Sequence, residues 1–444
     1  MSTTSTAPID PADQKTKAGS YFVANYPLFN AWSPDHNPAF EAAVNTPCAP
    51  DTPLGLYIHI PFCRKRCHFC YFKVYTGANA EVIRSYTAAA LSELEMYASK
   101  AFINGRSPDF IYFGGGTPSF LSTEQLEELT TGMKRLLPWD AAREIAFECE
   151  PGTLTEPRLQ AIRELGVTRL SLGVENFSDE ILEVNGRAHR SDAVYAVYDF
   201  ARKMDFPQIN IDLIAGMLNE TDENWKTCVE KTIELAPESV TIYQMEIPYN
   251  TTIFKRMKSE NMLTAPVADW PTKREWVRYA FEELEKNGYD IVSGYTAVKR
   301  DRDVSFLYRD ELWKGADLLS LGVSSFGHIG GVHYQNEQDM APYMAHVQSG
   351  SFPVFRSCKT TIDERLIREF ILQCKLGYIS TTYFQNKFGV DIRERFATPL
   401  NEIKAMGYLN DSGEQLTFTR NGLLRVDWLL HETVLKYLAA EPGA

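Results

Sequence analysis

Short apolar runs recur through the middle of the chain, each followed by a stretch with helical spacing. Leu54–Ile60, Pro108–Phe113, Glu144–Cys149, Thr168–Val174, Gln208–Ile214 and Ser239–Met245 read as strands. Between the first two, Ala80 to Lys100 places Val82, Tyr86, Ala90, Leu94 and Tyr97 on one helical face. Helical spacing returns over Glu156–Leu165, Asp179–Val184, Asp192–Met204 and Asp222–Leu235. Strands this apolar are buried on both faces, so repeated βα units predict an α/β fold with a parallel sheet and helices outside it. Six units fall short of the eight that close a barrel.

The flanks read differently. Met1 to Lys17 is rich in Ser, Thr, Pro and Ala, lacks an apolar core, and reads as a flexible arm rather than a secretory signal. Residues 18–53 carry aromatics and several prolines, predicting irregular structure across the barrel mouth, and Cys48 here reads as a spare thiol. Gly294 to Asn336 reads as sheet plus loop closing the barrel's lower side, where His328, His333, Tyr295 and Tyr308 could reach a substrate. Residues 360–440 are helix, Ser/Thr-capped helix, helix, turn, short β pair and final helix, an α+β winged-helix-like order. The expected division is 1–53, 54–355 and 356–444.

Composition narrows the function. The chain has 444 residues, 44 % hydrophobic, and a formal net charge of −13 without blocks of like charge. Nothing here supports nucleic-acid binding, and the winged-helix pattern lacks the Lys and Arg that DNA recognition needs. No apolar run approaches the roughly 18–20 residues of a membrane span. Eight cysteines, three of them clustered, do not suggest a disulfide scaffold. A cytoplasmic protein is expected.

The clustered cysteines organise the chain. Tyr57-Ile58-His59-Ile60-Pro61-Phe62 leads into Cys63, Cys67 and Cys70, spaced C-x3-C-x2-C. Pro61 ends the strand, so the thiols sit on a loop at its C-terminal end. A structural zinc site normally takes four protein ligands, whereas a four-iron cluster held by three cysteines keeps one iron open. A zinc knuckle with a distant fourth ligand and three unrelated core cysteines are the competing readings. The second strand runs into Gly114-Gly115-Gly116-Thr117-Pro118, whose backbone can approach a ligand closely. Later strands end near Glu148, Glu175 and Asp212, with Arg187 shortly after. In βα architectures these ends share one mouth; the charges suit a polar ligand or form a salt-bridged rim.

The C-x3-C-x2-C loop followed by Gly-Gly-Gly-Thr-Pro resembles the radical S-adenosylmethionine (SAM) superfamily. With Leu172-Gly173-Val174-Glu175-Asn176-Phe177, Asn210 to Ile214 and Leu321 to Gly327, the resemblance narrows to the oxygen-independent coproporphyrinogen III oxidase-like family, from about Leu54 to Leu435. It implies a partial (βα)6 barrel with a small C-terminal winged-helix-like domain. It also implies a 4Fe-4S cluster on Cys63, Cys67 and Cys70, with SAM on the open iron and a second SAM in several members. By the resemblance, Tyr57, Glu148, Arg187 and Asp212 match SAM-binding positions, Gly115, Gly116 and Thr117 match positions near SAM, Phe69 matches the residue packing on the adenine, and Glu175 is expected among the SAM contacts. Reductive cleavage of SAM to a 5'-deoxyadenosyl radical is the implied chemistry, with flavodoxin or ferredoxin as electron donor. Two residues depart from the decarboxylase: Phe72 stands where it has a fourth, needed cysteine, and Glu175 where the family has Gln. An acid at 175 favours a sulfonium or cationic substrate, or pairs with a local Lys or Arg. The heme chaperone's Asn-rich segment is not recognisable at Phe306 to Trp313. The expectation is therefore methyl transfer or C–C bond formation on a tetrapyrrole or specialised metabolite. The alternatives are coproporphyrinogen III decarboxylation and non-catalytic heme carriage.

Overall fold

The computed structural model describes residues 15–49 and 51–440. The six predicted strands are present as β1 Leu54–Ile60, β2 Phe110–Gly115, β3 Glu144–Cys149, β4 Arg169–Glu175, β5 Gln208–Ala215 and β6 Ser239–Gln244. They pair in that order, all parallel. Beyond β6, β7 Tyr289–Ile291 and β8 Thr296–Lys299 continue the sheet antiparallel. On the other side of β1 lies β9 Asp317–Leu321, parallel to it, then antiparallel β10 Phe326–Ile329, β11 Val332–Asn336 and β12 Val354–Lys359. The order of the twelve strands is open, and the two edge strands share no pairing among the described residues. β9 makes a seventh parallel strand, which the reading of 294–336 as a closing segment did not separate.

Helix α1 Asn37–Val44 lies in the leader; α2 Ala80–Ala98, α3 Thr123–Leu136, α4 Glu156–Glu164, α5 Asp179–Val184, α6 Ser191–Lys203 and α7 Asp222–Leu235 connect the strands. Their starts are chemically marked: Asn79 caps α2 through Val82 N, and Ser122 with Gln125 forms a capping box on α3. One predicted contact on α2 is corrected: Val82 is 40 % exposed, and Ile83 takes its place on the buried face with Tyr86, Ala90, Leu94 and Tyr97. Residues 83, 86, 90, 94 and 97 follow the helical repeat more closely than a series begun at 82.

Alternation along each strand sorts the side chains. Leu56, Ile58 and Ile60 of β1 are fully buried in the main apolar core. Tyr57 and His59 take the other, concave face. That face is lined by polar residues that bond across strands. Ser171 Oγ donates to Asp212 Oδ2 at 2.9 Å, Asn210 Nδ2 donates to Ser171 Oγ at 2.9 Å, and Ser239 Oγ donates to Asn210 Oδ1 at 2.8 Å. The interior is therefore a hydrogen-bonded lumen and not a filled apolar core. Its floor is the helix Leu307–Leu312, where Tyr308 lies 4.4 Å from Tyr112 and 6.3 Å from Tyr57 between ring centroids.

The leader is packed and partly helical. Residues 1–14 of the expected arm lie outside the described residues, but Thr16 is buried and bonds Lys273 Nζ at 2.7 Å, so the arm does not extend to Lys17. Gly19 N donates to Ile247 O at 2.9 Å just past β6, and Ser33 pairs with Ser357 on β12. Cys48 is a free thiol whose Sγ bonds Asp317 Oδ2 at 2.9 Å. In the C-terminal segment the helix Ile362–Cys374, strand Tyr378–Ser380, helices Thr381–Phe388, Ile392–Arg395 and Ala397–Ala405, and strands Leu409–Asp411 and Gln415–Phe418 follow the winged-helix order. They enclose a separate apolar cluster around Phe370, Phe384 and Phe396, which also takes in Val23 of the leader.

Candidate functional site at the carboxyl ends of the strands

The cysteine loop leaves β1 at Pro61 and is held by its neighbours on both sides. His68 N donates to Asn185 O at 2.9 Å, His68 Nδ1 meets Val184 O at 3.0 Å, and Ile253 N donates to His68 O at 3.1 Å. Arg66 Nη2 reaches Cys70 O at 3.1 Å and Asn250 O at 3.0 Å. Phe69 packs against the apolar group of Ile181, Ile214, Met217 and Met245. These contacts present Cys63, Cys67 and Cys70 as free thiols at one end of the lumen.

Two donors aim at the sulfurs. Thr117 Oγ1 lies 3.3 Å from Cys63 Sγ, and Arg187 Nη1 lies 3.3 Å from Cys67 Sγ. Burial pushes the Cys63 thiol up to about 12 and the Cys70 thiol up to about 11, with the charge of Cys67 adding to both and that of Cys70 to Cys63. Metal binding must therefore expel protons that burial otherwise retains. Arg187 also donates from Nη2 to Gly173 O and pairs with Glu175 at 3.6 Å, while its Nε is buried without a partner among the described residues. Burial opposes its charge, but Cys67, Glu175 and Glu150 together hold it above the usual arginine range.

The glycine segment is tight for a physical reason. Gly115 has φ +112°, and a Cβ there would lie 2.6 Å from the His59 ring; one on Gly116 would lie 2.9 Å from Ile60 O. Gly115 N donates to Glu148 Oε2 at 3.1 Å, and Tyr112 Oη donates to Glu148 Oε1 at 2.6 Å. Burial raises Glu148 to about 7 despite both donors, and raises Glu175 likewise to about 7 despite Arg187. Glu175 sits at φ +66° beside a register shift between Gly173 and Glu175, which turns its carboxylate toward Arg187. Asp212 accepts from Ser171 and Asn210 and is raised by burial. Tyr57 lies deeper, its Oη 3.1 Å from His59 Nδ1.

The structure thus gathers Glu148 with Gly115, Glu175 with Arg187 and Cys67, and Thr117 with Cys63, and sets Asp212 within their electrostatic reach. It does not bring His328 or His333 there: both are buried away from the lumen, their ring centroids 4.5 Å apart, with His333 bonded to Tyr26 O. Tyr295 is tied to Asp427. Sequence reasoning missed Tyr112, His59 and the Glu150–His189 pair at 2.8 Å. His59 and Glu150 each lie two residues from a recognised site residue, Tyr57 and Glu148, the alternation signal that would have found them, whereas Tyr112 lies three before Gly115 and falls off that alternation.

The arrangement fits an iron–sulfur cluster and a zwitterionic ligand. No three His, Cys, Asp or Glu side chains among the described residues converge to hold a single ion. That disfavours a zinc knuckle; a cubane binds each thiol on a separate iron. Arg187 with an unpartnered Nε and glycines that admit no Cβ leave polar groups open beside the loop.

Comparisons with known proteins agree. Residues 57–231 match the Radical SAM superfamily. The chain is 27 % identical over 372 residues to the heme chaperone HemW of Bacillus subtilis, covering 83 % of this chain and 96 % of that protein. It is 29 % identical over 397 residues to the oxygen-independent coproporphyrinogen III oxidase of Helicobacter pylori, covering 84 % of each. The solved coproporphyrinogen III oxidase HemN of Escherichia coli, a radical SAM enzyme, shares the fold with a TM-score of 0.80 at 23 % identity, over 95 % of this chain and 100 % of that one. A partial-barrel fold, a thiol loop beside paired carboxylates and an arginine, and these relatives converge: residues 57–231 carry the match to the Radical SAM superfamily, whose members use a 4Fe-4S cluster and SAM, and the chain as a whole is similar to the oxygen-independent coproporphyrinogen III oxidases and heme chaperones.

Proposed function

We propose that the protein is a radical SAM enzyme acting on a tetrapyrrole, by oxygen-independent oxidative decarboxylation of a coproporphyrinogen-type substrate. The carrying observation is the constellation around the cysteine loop, set in a chain alignable with the curated oxidases of Helicobacter pylori and Escherichia coli over 84–88 % of their lengths. The sequence-based expectation of methyl transfer loses weight, because the curated relatives compared here are oxidases or heme chaperones.

In this reading Cys63, Cys67 and Cys70 each hold one iron. Thr117 and Arg187 donate to the sulfurs. Glu148, Glu175 and Asp212 take SAM's hydroxyl and amine groups, Gly115 and Gly116 admit its amino acid part, Tyr57 stands on the same face, and Phe69 packs beside the adenine. Held there, the cluster and SAM would supply one-electron radical chemistry, with a flavodoxin or ferredoxin class donor in a cytoplasmic setting as the electron source. The chain's residues hold the substrate: Tyr71, Phe72 and Tyr243 expose 48 %, 42 % and 46 % of their surface and offer flat apolar faces to a macrocycle.

Heme carriage is the second reading, favoured by Phe72 in the place of the decarboxylase's fourth cysteine and by the HemW relatives, aligned over 94–96 % of their length. Anaerobic incubation with SAM, a strong reductant and coproporphyrinogen III, followed by mass spectrometry, separates the readings. Substrate-dependent 5'-deoxyadenosine with loss of carbon dioxide supports decarboxylation. S-adenosylhomocysteine beside 5'-deoxyadenosine, with the porphyrinogen untouched, restores methyl transfer. An intact cluster, no SAM cleavage and stoichiometric heme binding establish carriage.

A further inference from the structure

A cavity of about 310 Å³ opens beside the lumen floor, between β7, β8, the segment 304–314 and the C-terminal unit. Its wall is mostly apolar, with Ile291, Val292, Val298 and Val304 among the lining residues, yet Arg169 and Arg309 also front it. Arg169 begins β4 and is only 2 % exposed. Its guanidinium lies 4.3 Å from the Phe306 ring centroid, and its Nη1 is buried with no hydrogen-bond partner among the described residues.

A guanidinium this deeply buried ordinarily meets carboxylate or carbonyl oxygen, because an unpartnered buried charge is costly. Glu144 acts on Arg169 through space. Its oxygens, however, are engaged by Leu307 N and Tyr308 N, both at 3.0 Å. Arg309 is in a similar state: Asp310 holds one edge of its fork at 2.7 Å, while Nη1 is buried without a partner. Lys314 adds a further positive charge at the cavity wall. Arg169, Arg309 and Lys314 against Asp310 leave the lining with an excess of two positive charges.

We propose that this cavity binds a small organic carboxylate, its anionic head between Arg169 and Arg309 and its apolar body against the valines. Arginine pairs with a planar carboxylate through two parallel N–H donors. The apolar wall selects against a fully hydrated inorganic anion, which would lose water without recovering hydrogen bonds there. The volume holds the equivalent of roughly ten liquid waters, a fragment-sized ligand and not a tetrapyrrole. β4 runs roughly 20 Å from Arg169 to Glu175, at about 3.3 Å per residue, so the cavity lies at the far end of the strand from the cysteine loop, with Asp212 and Tyr112 acting on Arg169 through space from between them.

Calorimetric titration of the cluster-loaded protein with benzoate, hexanoate and inorganic phosphate tests this. Benzoate or hexanoate is expected to bind at about 1 mM or tighter, and phosphate not to compete. Arg169→Met should weaken carboxylate binding at least tenfold. Val298→Phe fills the cavity while keeping both arginines, so it should abolish binding even if Arg169→Met perturbs folding. Iron content and circular dichroism of both variants should match the parent. No heat with either carboxylate, phosphate binding alone, or carboxylate binding unchanged in Val298→Phe would each overturn the proposal.

Discussion

Arg187 joins the cysteine loop to the end of β4: one arm of its guanidinium donates to Cys67 Sγ at 3.3 Å, and the other to Gly173 O. Only a planar fork serves both partners at once. Arg187→Lys keeps the charge and the attraction to Glu175 but can hold one partner at a time. SAM affinity is expected to fall about tenfold, a loss of about 1.4 kcal/mol. Iron and sulfide content should fall less, since all three thiols remain. Equilibrium dialysis with labelled SAM and iron analysis read the two effects separately.

Glu175 titrates where the family's usual Gln does not. Burial holds it at about 7, so it passes from neutral to charged across the physiological range. SAM carries a sulfonium, and a carboxylate that ionises near 7 should strengthen its binding as pH rises from 6 to 8, by threefold to tenfold. Glu175→Gln removes that part of the dependence and leaves only the contribution of Glu148, also held at about 7. A pH series of SAM dissociation constants in which parent and variant run parallel would rule this out.

Gly115 has no room for a side chain. With φ +112° and a Cβ position 2.6 Å from the His59 ring, Gly115→Ala must both strain its backbone and displace a buried imidazole. A cost of roughly 1–3 kcal/mol is expected, together with weaker holding of Glu148, whose Oε2 accepts from Gly115 N at 3.1 Å. Urea unfolding of parent and variant measures the first, and SAM binding the second.

Behind the sheet, Glu93 is fully buried and accepts from Gly322 N at 2.9 Å, Asn336 Nδ2 at 2.6 Å and Tyr343 Oη at 2.6 Å. Burial outweighs these donors and raises it from 4.5 to about 7. Between those two pH values the folded protein binds more protons than the unfolded chain. Stability contributed by Glu93 is therefore complete below about 4.5 and is lost as pH rises through about 7. Glu93→Gln is expected to be less stable overall, having lost an acceptor, but with a shallower decline from pH 5 to 8, by on the order of 1–3 kcal/mol. Chemical denaturation across that range gives the slope.

Much of this was legible in the sequence because apolar runs and cysteine spacing are local signals. The six predicted strands fall within two residues of their expected limits, since each is an apolar run ended by a break in that pattern. What escaped depended on distant partners. Helix α1 has no side-chain cap and holds Pro38 in its first turn; it is stabilised by burying Phe40 and Val44 against the main core. His328 and His333 could reach a substrate on the sequence alone; in the fold the leader's Tyr26 and Trp32 cover His333, and His333 packs on His328. The orphan arginine at 169 carries no motif at all; only the placement of Phe306 and the engagement of Glu144 by other donors reveal it.

The leader has a consequence for how the molecule is made. Lys375 Nζ donates to Val23 O across 352 positions of chain, and Arg356 Nη1 to Phe29 O across 327. The leader residues thus wait during synthesis for partners made more than 300 positions later. At about 5–20 residues per second, the interval is tens of seconds. Until those partners are made, Thr16 lacks Lys273, Gly19 lacks Ile247 and Ser33 lacks Ser357. The thiol loop, complete by Cys70, emerges long before the strands that flank it. Cluster delivery therefore meets either an open, oxidisable loop during synthesis or a finished fold after it, and the second order protects the irons.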